Sequence, residues 1–184
     1  MTALHRVARV IDALNEGIGV SVAWLALLMV LVEFVVVLMR YVFGVGSVKM
    51  QESIVYMHAI VFMAAAGYTL LHNGHVRCDV FYAAAPPRKK ALIDLFGVLV
   101  FLLPTCALIA WVGWPYVAAA WAVREGSPEG SLGIPGVYLL KSVILVFAAL
   151  VALQGIAMAA RSVLLLAGID RATPAAPEDG EPGL

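Results

Sequence analysis

Four stretches of this chain stay apolar long enough to cross a lipid bilayer, and that feature leaves few folds open. They cover Gly17–Met39, Ser53–Leu71, Leu92–Tyr116 and Val137–Leu153. The last continues as helical pattern toward Leu166, so a fourth span of about 137–160 is expected. A hydrocarbon layer of roughly 30 Å takes about 20 helical residues to cross. Lipid offers no partner to backbone N–H and C=O groups, so a spanning segment is either a helix or a strand of a closed barrel. Barrel strands read as alternating segments of about 10 residues, and no such alternation occurs here. Composition agrees: 63% of the residues are hydrophobic and 13% charged, with a mean hydropathy of +0.97. Soluble domains lie nearer half apolar and a quarter charged. The expected fold is therefore all-α: an integral membrane protein with four transmembrane helices in an antiparallel bundle, one domain over residues 1–166.

The flanks of these spans add detail. Arg6, Arg9, Arg77, Arg88, Lys89, Lys90, Arg161 and Arg171 fall on one side of the predicted bundle. Arg40, Lys49 and Arg124 fall on the other, with Lys141 just inside the fourth span. The bias places both termini in the cytoplasm. The first span follows an arm containing Asp12 and Glu16 and ends at Met39-Arg40-Tyr41 instead of a small-residue cleavage site, so it reads as a retained helix. The arm itself spaces Leu4, Val7, Ile11, Leu14 and Ile18 helically. It is expected to be a short amphipathic helix on the membrane surface or an extension of the first span. Residues 167–184 form an acidic tail with Pro174, Pro177 and Pro182, which reads as disordered. Cys78 and Cys106 fall on different parts of the fold, and no disulfide or zinc site is expected of them. Zero net charge implies no bulk attraction to nucleic acid.

Few residues within the spans carry chemistry. Glu33 lies in LVEFVVV, about 7 Å past the midplane at 1.5 Å per residue. A carboxylate at that depth is costly without a partner. His58 on the second span reaches similar depth, and Lys141 near the outer end of the fourth can approach, so a contact of Glu33 with either is one expectation. A membrane carboxylate in a self-contained, ion-coupled four-helix carrier is the alternative. His58 and His72 share a face roughly 21 Å apart along the helix, a spacing that suits two haems, but the other spans offer no opposing histidine. No cofactor is expected. Ala148, Ala152, Gly155 and Ala159 make a small-residue stripe on the fourth span, with Gln154 beside it as a candidate interhelical hydrogen-bonding group. Pro104 is expected to bend the third span.

The second span is framed by two polar clusters. Arg40-Tyr41-Val42-Phe43-Gly44 closes the first helix with a snorkelling cation, interfacial aromatics and a glycine stop. Gln51-Glu52 reads as the start of the second helix, where a carboxylate suits the positive end of the dipole. His72-Asn73-Gly74-His75-Val76-Arg77-Cys78-Asp79 puts a turn, a histidine and an Arg/Asp pair at its other end. Taken singly, each cluster says only "helix cap".

Their order says more. RYVFG, then QE, then an aromatic and small-residue helix ending in GHVRCD, resembles the small membrane subunit of TRAP transporters, the DctQ-like family. That family's pattern is an RY-x-F turn, an acidic helix start and a G-H-[IV]-R-x-D ending. EGSPEGSLGIPGVYLLKS and Gln154-Gly155 look like the mannitol or chloroaromatic subgroup, and the resemblance covers roughly residues 20 to 165. Many members carry Trp and paired Glu where this chain has Lys49-Met50-Gln51-Glu52, and Cys78 stands where an aliphatic residue is usual.

The resemblance implies a tripartite, ATP-independent symporter of the bacterial inner membrane, taking up an organic acid or related solute. In that arrangement a periplasmic solute-binding protein feeds a large permease subunit that holds the substrate and coupling-ion sites, the ion being Na⁺. This chain would be the small, non-enzymatic subunit scaffolding the large one. Candidates for subunit contact or helix register are Glu33, Arg40, Tyr41, Gln51, Glu52, His58 and Gln154. His75, Arg77 and Asp79 are candidates for the anchor at the inner loop.

Overall fold

The computed structural model describes residues 3–75, 82 and 84–169. Their regular structure is entirely helical, and four helices are long and apolar enough to span a membrane. The first is α1, Ala3–Val42. The second is a broken helix made of α2, Val48–Ala64, and α3, Ala66–Leu71, joined at Ala65. The third comprises α4, Pro87–Gly97, a π-helical turn, Val98–Leu102, and α5, Leu103–Ala122. A loop containing a 3₁₀ turn, Gly130–Leu132, leads to α6, Val137–Leu166.

Helix ends follow from local chemistry. Gly44 takes a φ of 69°, and the chain turns so that Phe43 and Val45 both donate to the Met39 carbonyl. Ser47 then caps α2, its hydroxyl accepting from the Met50 N–H. The second helix therefore opens before Gln51-Glu52, which leaves the Glu52 carboxylate free of the capping role that its position suggests. Left-handed residues Asn73, Arg124 and Gly168 end α3, α5 and α6. Each lets the following N–H reach back five residues, to Thr69, Ala120 and Leu164 respectively. Pro87 sits in the first turn of α4, where its missing N–H costs nothing.

The irregularity expected around Pro104 takes the form of the π turn. The Leu103 N–H bonds to the Val98 carbonyl, one residue further back than in an α-helix. A register wider by one residue makes room for a proline that can neither donate nor pack tightly against the preceding turn.

The N-terminal arm does not form a separate surface helix. It continues unbroken into the first span, making α1 about 60 Å long at 1.5 Å per residue. Its buried face is Ala8, Ile11, Asn15, Gly19 and Val22, whereas Leu4, Val7 and Leu14 face outward. Ala8, Asn15 and Gly19 turn inward beside Ile11 and Val22, while several of the larger apolar side chains turn out. In lipid, large apolar groups lose nothing by facing the solvent, and helices approach most closely through small residues.

The centre of the bundle is α6, which packs against every other helix; α1 packs on α2, α3 and α6, and α5 chiefly on α6. Two small apolar clusters tie α1 to α6. One gathers Ala8, Ile11 and Ala157, with Leu153 against it. The other gathers Val22, Ala64 and Leu150. The small-residue stripe on α6 points into this packing: Ala148 and Gly155 are buried, and Ala152 and Ala159 are partly so.

Candidate functional site: a polar groove between the first two helices

Polar side chains gather at three places: the end of the bundle that carries the α5–α6 loop, the groove between α1 and α2, and the end where α1 begins and α6 finishes.

At the loop end, Glu52 holds the connection between α5 and α6. One carboxylate oxygen accepts from the Ser127 hydroxyl and the other from the Ile134 N–H at 2.6 Å. The Ser127 oxygen also accepts from the Glu129 N–H at 3.0 Å. Gly133 closes this clamp, because a Cβ there would collide with Ser127 and stand 2.7 Å from Glu52. Lys141 turns to Glu125 (2.5 Å) and lies 4.1 Å from the centre of the Tyr116 ring. The expected Glu33–Lys141 contact is thus replaced by a pair within the loop and the start of α6. Trp121 and Tyr138 meet edge to face, and the Trp121 indole N–H donates to Ser142 at 2.8 Å.

At the opposite end, Gln154 is fully buried. Its amide donates to Asp12 at 2.9 Å, and its carbonyl accepts from the Asn15 amide at 2.9 Å. Arg161 donates to both carboxylate oxygens of Asp12, at 2.9 and 2.6 Å. The Asn15 carbonyl oxygen has no hydrogen-bond partner among the described residues and stands where a Cβ on residue 67 would go, so only glycine fits at that position. Glu16 meets His72 at 2.6 Å. His75 is exposed, and Arg77 and Asp79 lie outside the described residues. Sequence reasoning singled out Gln154 but not Asp12, Asn15 or Arg161 as its partners. The available signal was an Asn on the stripe of small residues in α1, with Gln154 and Arg161 two turns apart on α6.

Between these ends lies a groove formed by α1 and α2. Toward the loop end it is lined by Glu33, Arg40, Tyr41 and Gln51 and holds about 280 Å³. It continues into a more apolar hollow of about 410 Å³ lined by Glu33, Met29, Val55 and His58. Glu33 and Ile54 belong to both. Glu33, Arg40, Gln51 and His58 are all exposed, and Tyr41 is 83% exposed. His58 stacks on Phe62, their ring centres 6.3 Å apart. Glu33 and His58 thus share a groove, and among the described residues neither has a hydrogen bond or ion pair with the other.

A family model described as "Tripartite ATP-independent periplasmic transporters, DctQ component" matches residues 29–165. The chain belongs to the DctQ family. It is the small subunit of a TRAP transporter, a transport component and not an enzyme. No curated protein and no solved structure matches it. The DctQ match begins at Met29, so it takes in the whole α1–α2 groove, the Glu52 clamp and, on α6, Gln154 and Arg161. Asp12, Asn15 and Glu16 precede it. Membership also bears on the self-contained carrier considered for Glu33. A DctQ component works within an assembly, which disfavours transport by this chain alone.

Proposed function

We propose that this subunit is the fixed scaffold of a symporter, bound in the bacterial inner membrane to a large permease subunit. The large subunit holds the substrate and the coupling ion, Na⁺, and receives an organic acid or related solute from a periplasmic binding protein. On this reading both termini lie in the cytoplasm, and the EGSPEGSLGIP loop supports kinship with the mannitol or chloroaromatic subgroup. One observation carries the reading. The DctQ match reaches into all four spans, while the buried Asn15 and Gln154 bond to each other and, with Asp12 and Arg161, fix α1 against α6. Side chains used in this way hold a shape; a translocation site instead needs discontinuous helices whose free ends face an ion or solute, whereas at the Ala65 break the N–H stays bonded to Val61 and the carbonyl to Thr69.

The test is co-purification. An affinity-tagged copy, co-expressed with the large permease subunit and extracted in mild detergent, should recover that subunit in stoichiometric amount. Deletion of this chain should abolish solute uptake. A large subunit that transports at the full rate without it would refute the scaffold role.

A further inference from the structure

Glu33 is an exposed carboxylate in the middle of an apolar helix, with no hydrogen-bond or ion-pair partner among the described residues. Arg40, which begins the aromatic border with Tyr41 and Phe43, lies seven residues further on, or about 10 Å along the axis. Glu33 is therefore well inside the hydrocarbon layer, too deep for phospholipid headgroups to solvate it. A charged group at such depth is expected to face protein or a water-filled cavity. Here it opens into the α1–α2 groove, in a hollow lined by Met29, Val30, Ile54, Val55 and His58, and His58 makes no hydrogen bond or ion pair with it among the described residues.

We propose that this groove seats one transmembrane helix of the large permease subunit, and that the helix presents a hydrogen-bond-donating side chain to Glu33. The inference rests on the small-subunit reading above and adds to it the face used and the chemistry of recognition. Three observations select this occupant. The carboxylate calls for a donor at its own depth, which lipid tails cannot supply. The groove runs along two antiparallel helices, so a third helix packs into it lengthwise, against Val36, Val37, Ile54 and Val55 with Glu33 among them. A second copy of this chain fits poorly. A two-fold axis along the membrane normal keeps each group at its own depth, so the two Glu33 carboxylates would enter one dry seam.

The test uses membranes in which this chain and the large subunit are co-expressed. A photo-crosslinking residue at position 55, in the groove, is compared with one at Trp111 on α5, which packs chiefly on α6. The proposal expects crosslinks from position 55 to a membrane helix of the large subunit. It also expects Glu33→Leu to lower recovery of that subunit about 10-fold, with Glu33→Gln retaining most of it because an amide oxygen still accepts a hydrogen bond. Crosslinks to the large subunit from position 111 alone would overturn the groove assignment and leave the scaffold role standing. Crosslinks from position 55 to a second copy of this chain, or to lipid alone, would overturn it too. A wild-type pair that does not assemble would overturn both readings.

Discussion

Gly67 shows how little room this fold leaves at single positions. The Asn15 carbonyl oxygen fills the space that a Cβ would take, and Asn15 is itself held by Gln154. Gly67→Ala should therefore cost about 1–3 kcal/mol, the usual penalty for overpacking. Gly17 is the contrasting case. It is helical, and a methyl group added there would meet nothing within 4 Å, so Gly17→Ala should gain up to about 1 kcal/mol from helix propensity alone. Thermal unfolding of the two variants in detergent checks both signs, and equal effects would contradict the packing account. Some of this detail was legible in the sequence. Gln154 stood out because an amide in a span calls for a partner. Asn15 did not, because the helical spacing of the arm rests on its large apolar residues, of which Leu4, Val7 and Leu14 turn outward and Ile11 and Ile18 inward. In a membrane bundle a periodicity of large apolar residues does not by itself tell the buried face from the outer one, and small or polar side chains such as Gly19 and Asn15 mark the close contacts.

At the scale of elements, the α5–α6 loop depends on one side chain of α2. Glu52 binds both ends of the SPEGSLGI segment, through Ser127 and Ile134, and Gly133 makes room for it. Glu52→Ala leaves the Ser127 hydroxyl and the Ile134 N–H without their shared acceptor and should loosen the loop. The expected outcome is faster hydrogen exchange across residues 125–136, with the α1–α6 contacts unchanged. Unaltered exchange in the loop would show that Glu52 does not hold it. The sequence revealed the components of this clamp but not their pairing. Gln51-Glu52 reads as a helix start because acids favour that position, yet Ser47 caps the helix and leaves Glu52 a turn further in. The same limit applies to the second span, whose break at Ala65 within a run of alanines carries no proline to announce it. The third span was easier, since Pro104 signals an irregularity even though it does not specify a π turn.

For the whole molecule, the division of surface matters most. In the most apolar window of α6, 33% of the residues are buried within the chain, against 6% in that of α1. The subunit is thus a central helix with three others laid on it, and most of their apolar surface is left to lipid or to a partner. Four spans were legible from hydropathy alone, because length and charge-free runs are what the bilayer demands. The family was legible from the order of RYVFG, QE and GHVRCD. Which face meets the partner was not, because exposed Leu and Val serve lipid and protein equally well, and only a charge such as Glu33 separates them.

The central claim is that this chain supports transport without performing it. Reconstitution into sealed liposomes tests that most directly, with a Na⁺ gradient, a saturated binding protein and radiolabelled solute. Gradient-dependent uptake is expected only when this chain and the large subunit are both present, and none from this chain alone. Uptake by this chain alone, abolished by Glu33→Gln, would contradict it.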